Sequence, residues 1–178
     1  MMNASPRHGF SQVEVVVSTI IVGTLMVSCF STIAAARRSQ MAESNRVRGL
    51  AIAEALMVEI TQLPMRDPSC DCGYGTDSGE SGTNRSRFDD VDDYNNLIDS
   101  PPKSKNGTAC SGYTDLNRTV SVDFVTTANW DTTSASYVGI YRITVKVLRG
   151  TKEVCRLVGY RTSGANGSSS AAIASSLN

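Results

Sequence analysis

The chain has 178 residues, and its 17 Lys and Arg balance 17 Asp and Glu to a formal net charge of zero. This balance argues against broad electrostatic binding to nucleic acid, which needs a basic excess. A single histidine, His8, excludes a multi-histidine metal site. The length suggests one small domain, and five cysteines point to an oxidising compartment.

An apolar segment dominates the N-terminal part of the chain. Residues 10–36 contain one charged side chain, Glu14, and are flanked by Arg7 and by Arg37 and Arg38. About 20 apolar residues suffice for a helix to span a bilayer, so this segment is long enough. Because lipid offers no hydrogen-bond partners to the backbone, the segment is predicted to be a helix.

Three interpretations of this segment compete. A cleaved secretory signal would end at the small residues 34–36, but such signals have shorter apolar regions and no internal carboxylate. A plain membrane anchor gives no reason for Glu14, because an ionised carboxylate in hydrocarbon costs about 2.5–3.5 kcal/mol on insertion scales. The third interpretation, in which Glu14 belongs to a functional motif, explains the carboxylate.

The segment GFSQVE at residues 9–14 resembles the GF(S/T)LxE leader motif of type IV pilins and pseudopilins. The resemblance implies that residues 1–9 form a cytoplasmic basic leader, that a prepilin peptidase cleaves after Gly9, and that Phe10 becomes an N-methylated terminus. It also implies that Glu14 pairs with the N-terminal amine of a neighbouring subunit in a fibre. Each charge is costly alone in an apolar bundle, and pairing offsets that cost.

The chain departs from the common pattern at two points. Gln12 stands where Leu is usual in the motif. No proline occurs between Pro6 and Pro64, whereas many major pilins have one in the membrane half, and this absence favours a minor pilin or pseudopilin. The chain is most similar to PilV-like minor pilins or to I-type pseudopilins of type II secretion. The implied partners are the peptidase and methyltransferase, other pilins and inner-membrane lipid, with the head in the bacterial periplasm and no catalytic role. The alternative is a membrane-anchored periplasmic binding or adhesion module whose ligand site is an acidic loop.

The apolar half is predicted to continue into an amphipathic half at residues 37–63, since this part has no proline and many good helix formers. The helix would end before Pro64. One stripe is predicted to face the rest of the fold: Val47, Leu50, Met57, Ile60 and Leu63.

The composition and the apolar patterns of the remaining residues predict a long loop followed by a small sheet. Residues 64–117 are rich in Gly, Ser and Asp and are predicted to be irregular. In residues 118–162, alternating apolar patterns predict antiparallel strands at 118–125, 137–148 and 153–161. Residues 163–178 are predicted to be a flexible tail. The fold class is therefore α+β, with the long N-terminal helix packed on the sheet.

Four cysteines lie outside the apolar segment: Cys70, Cys72, Cys110 and Cys155. They lack the paired C-x₂-C spacing of zinc ribbons, and an oxidising compartment favours disulfides over zinc or free thiols. We expect at least one disulfide between Cys110 or Cys155 and the Cys70/Cys72 pair. Cys29 is expected to be a packing residue of the membrane helix.

An acidic run contains Asp89, Asp90, Asp92 and Asp93 within five residues. The run favours a solvated loop. A second interpretation is a Ca²⁺ site in which two of the four are ligands, Asp90 with Asp92 or Asp93, because Ca²⁺ prefers oxygen ligands. The family resemblance supports it, since some pseudopilins bind Ca²⁺ near their sheet. A catalytic carboxylate pair is the third, and it would need a pocket with separated environments.

Overall fold

The computed structural model describes residue 9, residues 11–67, 73–80 and 84–163, and the backbone of residues 171–175. It divides into two compact units, Met1–Ser44 and Asn45–Asn178. Within these residues the chain forms one α-helix, α1 (Gln12–Thr61), and five strands: β1 (Ile98–Asp99), β2 (Asn117–Phe124), β3 (Ile140–Arg149), β4 (Lys152–Thr162) and β5 (Ala171–Ser175). Short 3₁₀ turns lie at Arg85–Arg87 and Asp92–Tyr94.

The first unit contains the apolar part of α1. Its serine and threonine hydroxyls donate to carbonyls three or four residues earlier, as in Thr19 to Val16 and Ser28 to Thr24, each at 2.9 Å. These bonds satisfy the hydroxyls within the helix, which makes a polar side chain tolerable in an apolar surrounding. The predicted helix is thus confirmed, and it begins two residues later and ends two residues earlier than expected.

The second unit is built on an antiparallel sheet in the order β1-β2-β3-β4-β5. The three predicted strands correspond to β2, β3 and β4. The β3–β4 hairpin turns at Gly150 and Thr151, and Gly150 has a φ of +61°, a conformation that favours glycine in tight hairpin turns. This fold confirms the predicted α+β class, in which the helix packs on a small antiparallel sheet.

The core lies between one stripe of α1 and one face of the sheet. Fully buried helix side chains meet fully buried strand side chains, and the burial of such apolar surface is the main stabilising contribution to a fold of this kind. The helix residues are Ile52, Ala53, Leu56, Met57 and Ile60, and the strand residues are Val120, Val122, Ile143, Val145, Val147 and Leu157.

The predicted helix stripe was partly wrong. Met57 and Ile60 are buried and Leu63 packs against the core, but Val47 is 58% exposed and Leu50 is only half-buried. At about 100° per residue, 13 positions carry Ile60 roughly 140° round the helix from Val47, so the two cannot share a narrow face. The buried stripe instead advances by three or four residues at a time, from Gly49 through Ala53 and Leu56 to Ile60.

The predicted flexible tail also needs correction. Ala171–Ser175 form β5, which pairs antiparallel with residues 157–161 of β4. The alanine and serine residues of this segment are weak strand formers, and pairing comes from main-chain hydrogen bonds along the β4 edge, which do not depend on side-chain type. The other residues after Ser163 lie outside the described part of the chain.

Gly49 marks a close approach between α1 and the sheet. A Cβ placed there would lie 3.2 Å from Cβ of Cys155 and 3.2 Å from Cγ2 of Val154. We therefore expect Gly49→Val to lower the free energy of unfolding by about 1–3 kcal/mol through overpacking. Thermal unfolding of the full chain in detergent measures this effect.

Ala51→Val is the control for the cost of valine at an exposed position of the same helix, since Ala51 is exposed. Because valine is a better helix former than glycine, helix propensity alone would stabilise Gly49→Val; unchanged or raised stability of this variant would contradict the close contact with β4.

Candidate functional site

The N-terminal motif residues lie at the start of α1. Gly9 is exposed and has no regular structure, and Phe10 lies outside the described residues. The helix begins at Gln12, and Glu14 is exposed in its first turn, where the helix dipole favours a negative charge. Among the described residues, none forms an ion pair with Glu14. The cleavage and assembly roles of these residues remain predictions.

The apolar part of α1 exposes its side chains on all sides. Its most apolar window of 18 residues is fully exposed, with 0% of the window buried. A helix of this length and composition is able to cross a membrane, although signal sequences have the same properties. The apolar part of α1 is therefore the candidate membrane-spanning segment among the described residues.

The long loop is attached to the helix and sheet by buried charges. Arg85, Asp99 and Arg118 are each 2–3% exposed. Asp99 accepts from both guanidinium groups, with Oδ2 3.3 Å from Nη1 of Arg85 and 3.1 Å from Nε of Arg118. The carbonyl of Lys103 accepts from both as well, at 2.7 and 2.5 Å. Two guanidinium groups thus share one carboxylate and one carbonyl in a low-dielectric site.

The same network reaches α1 at two points. Glu59 accepts from Nε of Arg85 at 2.9 Å and from the Tyr94 hydroxyl at 2.8 Å. Arg118 donates through Nη1 to the carbonyl of Ile52 at 3.0 Å. Burial and the adjacent Glu59 carboxylate raise the pKa of Tyr94 well above its usual range, so the hydroxyl stays a hydrogen-bond donor. We call Glu59, Arg85, Asp99 and Arg118 the ionic network.

The sequence prediction missed the ionic network, although one signal was present. Arg118 is in register with Val120 and Val122 on the inward face of β2. The alternating pattern of β2 places this arginine on the inward face, and a charged side chain there needs a buried partner. The sequence could therefore have indicated that such a partner exists. The identity of that partner could not be read from the sequence, because Asp99 is 19 positions away and follows a polar loop.

The acidic run is buried, which corrects the predicted solvated loop. Asp90, Asp92 and Asp93 are 5%, 3% and 4% exposed, and Asp89 is half-buried. The physical reason is that the carboxylates accept backbone N–H groups, as aspartates commonly do in turns. Asp90 Oδ1 accepts from the amides of Asp92 and Asp93 at 3.0 and 3.2 Å, and Asp93 Oδ2 accepts from those of Asp89 and Asp90 at 2.9 and 3.2 Å.

Asp92 has a different role from its neighbours. Its Oδ2 accepts from the backbone amide of Gly75 at 2.8 Å, and its Oδ1 lies 3.4 Å from the Tyr141 hydroxyl. The side chain therefore joins the segment 73–80 to β3. Tyr74 extends this connection, since its hydroxyl donates to the carbonyl of Val122 and its ring centroid lies 4.8 Å from that of Phe124.

One carboxylate from the segment 73–80 lies close to two carboxylates of the acidic run. Side-chain oxygens of Glu80, Asp89 and Asp93 lie within 4.8 Å of one another. Burial and the neighbouring Glu80 raise the pKa of Asp93 to about 7, and burial together with Asp92 raises that of Asp90 to about 8. We call Glu80, Asp89 and Asp93 the carboxylate cluster. Its members repel one another unless a proton or a cation lies between them.

Two further acids lie near the carboxylate cluster. Asp77 has a raised pKa because its side chain shares a hydrogen bond with that of Asp67, and burial and the charge of Glu80 add to the effect. Burial and the charge of Asp67 likewise raise the pKa of Asp89, which Lys105 opposes. Asp67, Asp77 and Glu80 were missed by the sequence prediction, because isolated acids in a polar loop give no spacing signal.

The three cysteines that the structure describes form no disulfide with one another. Cys29 is exposed in α1, and Cys110 and Cys155 are half-buried. Burial raises the pKa of Cys155, which lowers the reactivity of its thiol. Cys70 and Cys72 lie outside the described residues, so the predicted disulfide between this pair and Cys110 or Cys155 stays a prediction.

The structure therefore divides the predicted site residues into two groups. It brings Asp89 and Asp93 together with Glu80, whereas Asp90 and Asp92 hold the backbone. Comparison of the chain with protein-family models, curated proteins and solved structures gave no match.

The ionic network generates a stability prediction. Arg118→Met is expected to lower the free energy of unfolding by about 3–5 kcal/mol, because it leaves Asp99 charged, buried and short of a partner. Chemical denaturation of the full chain in detergent measures this change.

Arg156→Met is the matched control, since it removes the same side chain from the Arg156–Glu153 pair, whose members are 45% and 39% exposed. Exposed pairs contribute about 0–1 kcal/mol. A cost for Arg118→Met no larger than that for Arg156→Met would show that the ionic network does not hold the loop.

Proposed function

We propose that the chain is a minor pilin or pseudopilin, a structural subunit of a type IV pilus or a type II secretion pseudopilus. The observation that carries the proposal is the GFSQVE motif at residues 9–14, which ends at Glu14 in the first turn of an apolar helix. The subunit performs no catalysis and is itself the substrate of a prepilin peptidase and N-methyltransferase. Before assembly it resides in the bacterial inner membrane with its head in the periplasm.

The environment of Glu14 supports an assembly role. The side chain is exposed, and it is surrounded along α1 by exposed Val13, Val15, Val16 and Val17. In hydrocarbon this carboxylate needs a positive partner, because an unpaired ionised acid there is costly. Cleavage after Gly9 creates an amine at Phe10, and the amine of an adjacent subunit would be such a partner. Pairing between subunits then couples membrane burial to fibre formation.

The proposal predicts a specific effect of Glu14→Gln. The variant should be cleaved normally, so that the intact mass of membrane-extracted protein corresponds to an N-methylated chain that begins at Phe10. Its recovery in sheared fibres should fall at least about tenfold, because the neighbour's amine loses its partner in a low-dielectric bundle.

Glu43→Gln is the matched control, because Glu43 is an exposed glutamate of the same helix outside the apolar segment. Equal recovery of the Glu14→Gln variant and the wild-type chain would remove the assembly role. A mature chain that begins at Arg37 would show a cleaved secretory signal and overturn the proposal.

We also propose that the carboxylate cluster binds one Ca²⁺. Calcium accepts six to eight oxygens at about 2.3–2.6 Å, so two ligands on opposite sides of one ion are about 4.8 Å apart. The oxygens of Glu80, Asp89 and Asp93 meet this limit. The ligand set differs from the one expected from sequence, because the side-chain oxygens that lie within 4.8 Å of one another belong to Glu80, Asp89 and Asp93.

Calcium binding predicts a thermal shift. The full chain in detergent should melt at a higher temperature in millimolar Ca²⁺ than in chelator, since binding to the folded state alone stabilises it by about 2.7 kcal/mol at a hundredfold excess over Kd. Mg²⁺ should stabilise less, because it requires octahedral geometry and retains its waters. Glu80→Gln and Asp89→Asn should each reduce the shift.

Glu54→Gln is the matched control, because Glu54 is exposed on α1 and lies outside the carboxylate cluster. Identical melting temperatures in Ca²⁺ and chelator would contradict the calcium site and would leave the fibre assignment unaffected.

A further inference from the structure

An aromatic pair lies on the face of the sheet that points away from α1. Trp130 is the only tryptophan of the chain, and it is 41% exposed in the connection between β2 and β3. Its ring centroid lies 5.2 Å from that of Tyr160 on β4, with 48° between the ring planes. Neither ring belongs to the core, the ionic network or the carboxylate cluster. None of these three sites therefore accounts for the presence of the two aromatic rings on this surface.

On the same outward face of the sheet, three polar residues next to the aromatic pair form a row across the strands. Asp123, Arg142 and Tyr160 are neighbours across β2, β3 and β4. Arg142 donates through Nη2 to Asp123 Oδ2 at 3.2 Å and through Nη1 to the carbonyl of Asp131 at 2.8 Å. The guanidinium group is thereby fixed beside the aromatic pair.

The loop that carries Trp130 is closed by its own hydrogen bonds. Thr126 donates its hydroxyl to the carbonyl of Asn129 at 2.8 Å and its amide to the carbonyl of Thr132 at 3.0 Å. The amide of Asp131 donates to Asn129 Oδ1 at 3.0 Å, and Asp131 Oδ1 accepts from the Tyr160 hydroxyl at 3.2 Å. These bonds hold the side chains on either side of Trp130 before any ligand arrives, which lowers the entropy cost of binding.

The chemistry of this surface suits a sugar better than a protein. Residues 126–136 contain no aliphatic side chain larger than alanine and are otherwise Thr, Ser, Asn and Asp around the one tryptophan. A protein interface packs its anchor residues in a continuous apolar core, which this loop lacks. A pyranose ring has an apolar C–H face and a rim of hydroxyls, and it matches one exposed aromatic face bordered by fixed hydrogen-bonding groups.

We propose that Trp130, Asp131 and Arg142 form a binding site for a pyranose unit of a glycan. The sugar stacks its C–H face on the indole ring, and its hydroxyls donate to the Asp131 carboxylate and accept from the Arg142 guanidinium. Only one oxygen of Asp131 accepts the Tyr160 hydroxyl, and a carboxylate has about four acceptor positions, so acceptor capacity remains. This site is independent of fibre assembly and of the carboxylate cluster.

The single tryptophan provides a direct test, because all indole emission comes from the proposed site. The full chain is purified in a polyoxyethylene detergent, since maltoside and glucoside detergents carry competing pyranoses. It is applied to a printed panel of gluco-, manno-, galacto- and N-acetylhexosamine oligosaccharides. The strongest oligosaccharide is then titrated while the emission of Trp130 is recorded. We expect saturable binding with a shift in that emission.

Variants link the binding to named side chains. Trp130→Ala should weaken panel binding at least about tenfold through loss of the stacking surface. Asp131→Asn, which is nearly isosteric and retains an oxygen acceptor for Tyr160, should weaken binding while the unfolding transition stays unchanged. Ile98→Ala is the control, since Ile98 is 74% exposed on β1 at the opposite edge of the sheet from β5.

Three results would overturn the proposal. One is the absence of binding to any member of the panel. Another is equal binding by wild type, Trp130→Ala and Asp131→Asn. The third is a Trp130 emission shift that a purified partner subunit produces and that no saccharide produces, which would make the surface a protein interface.

Discussion

The carboxylate of Asp99, shared by Arg85 and Arg118, holds together the parts of the second unit that have little regular structure of their own. It receives hydrogen bonds from both guanidinium groups and from the backbone amide of Lys103 at 3.0 Å. Through Arg85 it is linked to Glu59 on α1, and through Arg118 to the carbonyl of Ile52. One buried acid thus joins the loop, the first strand, the second strand and the helix.

The position of the acidic run depends on this network. Tyr94 follows Asp93 directly and donates its hydroxyl to Glu59, while the amide of Val91 donates to the carbonyl of Pro64 at 3.1 Å. The run is therefore held at the C-terminal end of α1 by a tyrosine on one side and a backbone bond on the other. Because Val91 and Tyr94 are fully buried, the aspartates between and beside them are buried too. Their carboxylates then accept the turn's own amides, which compensates for the lost hydration.

The parts of the fold that the sequence predicted are those with local periodic patterns. An unbroken apolar run defines α1, and alternation defines β2, β3 and β4, because helix and strand expose side chains at fixed periods. The parts that were missed depend on contacts between distant residues. Arg85 lies in a 3₁₀ turn and Asp99 in a two-residue strand, which are too short to show a period, and β5 forms through main-chain bonds to β4 in the short, alanine-rich segment AAIAS.

The acidic run shows why composition alone misjudged the site. Four aspartates in five residues predict repulsion and therefore solvation, but their positions allow Asp90 and Asp93 to accept amides from each other's segment of the turn. Asp93 Oδ2 accepts two backbone amides, and a side-chain oxygen of Asp93 also lies within 4.8 Å of oxygens of Glu80 and of Asp89 in the same turn. The side chain of Asp93 therefore stabilises the turn and is also a member of the carboxylate cluster, whose negative charges repel one another. Burial of the turn makes the cluster's repulsion stronger than it would be in water, and this repulsion is the physical basis for the calcium site that we propose there.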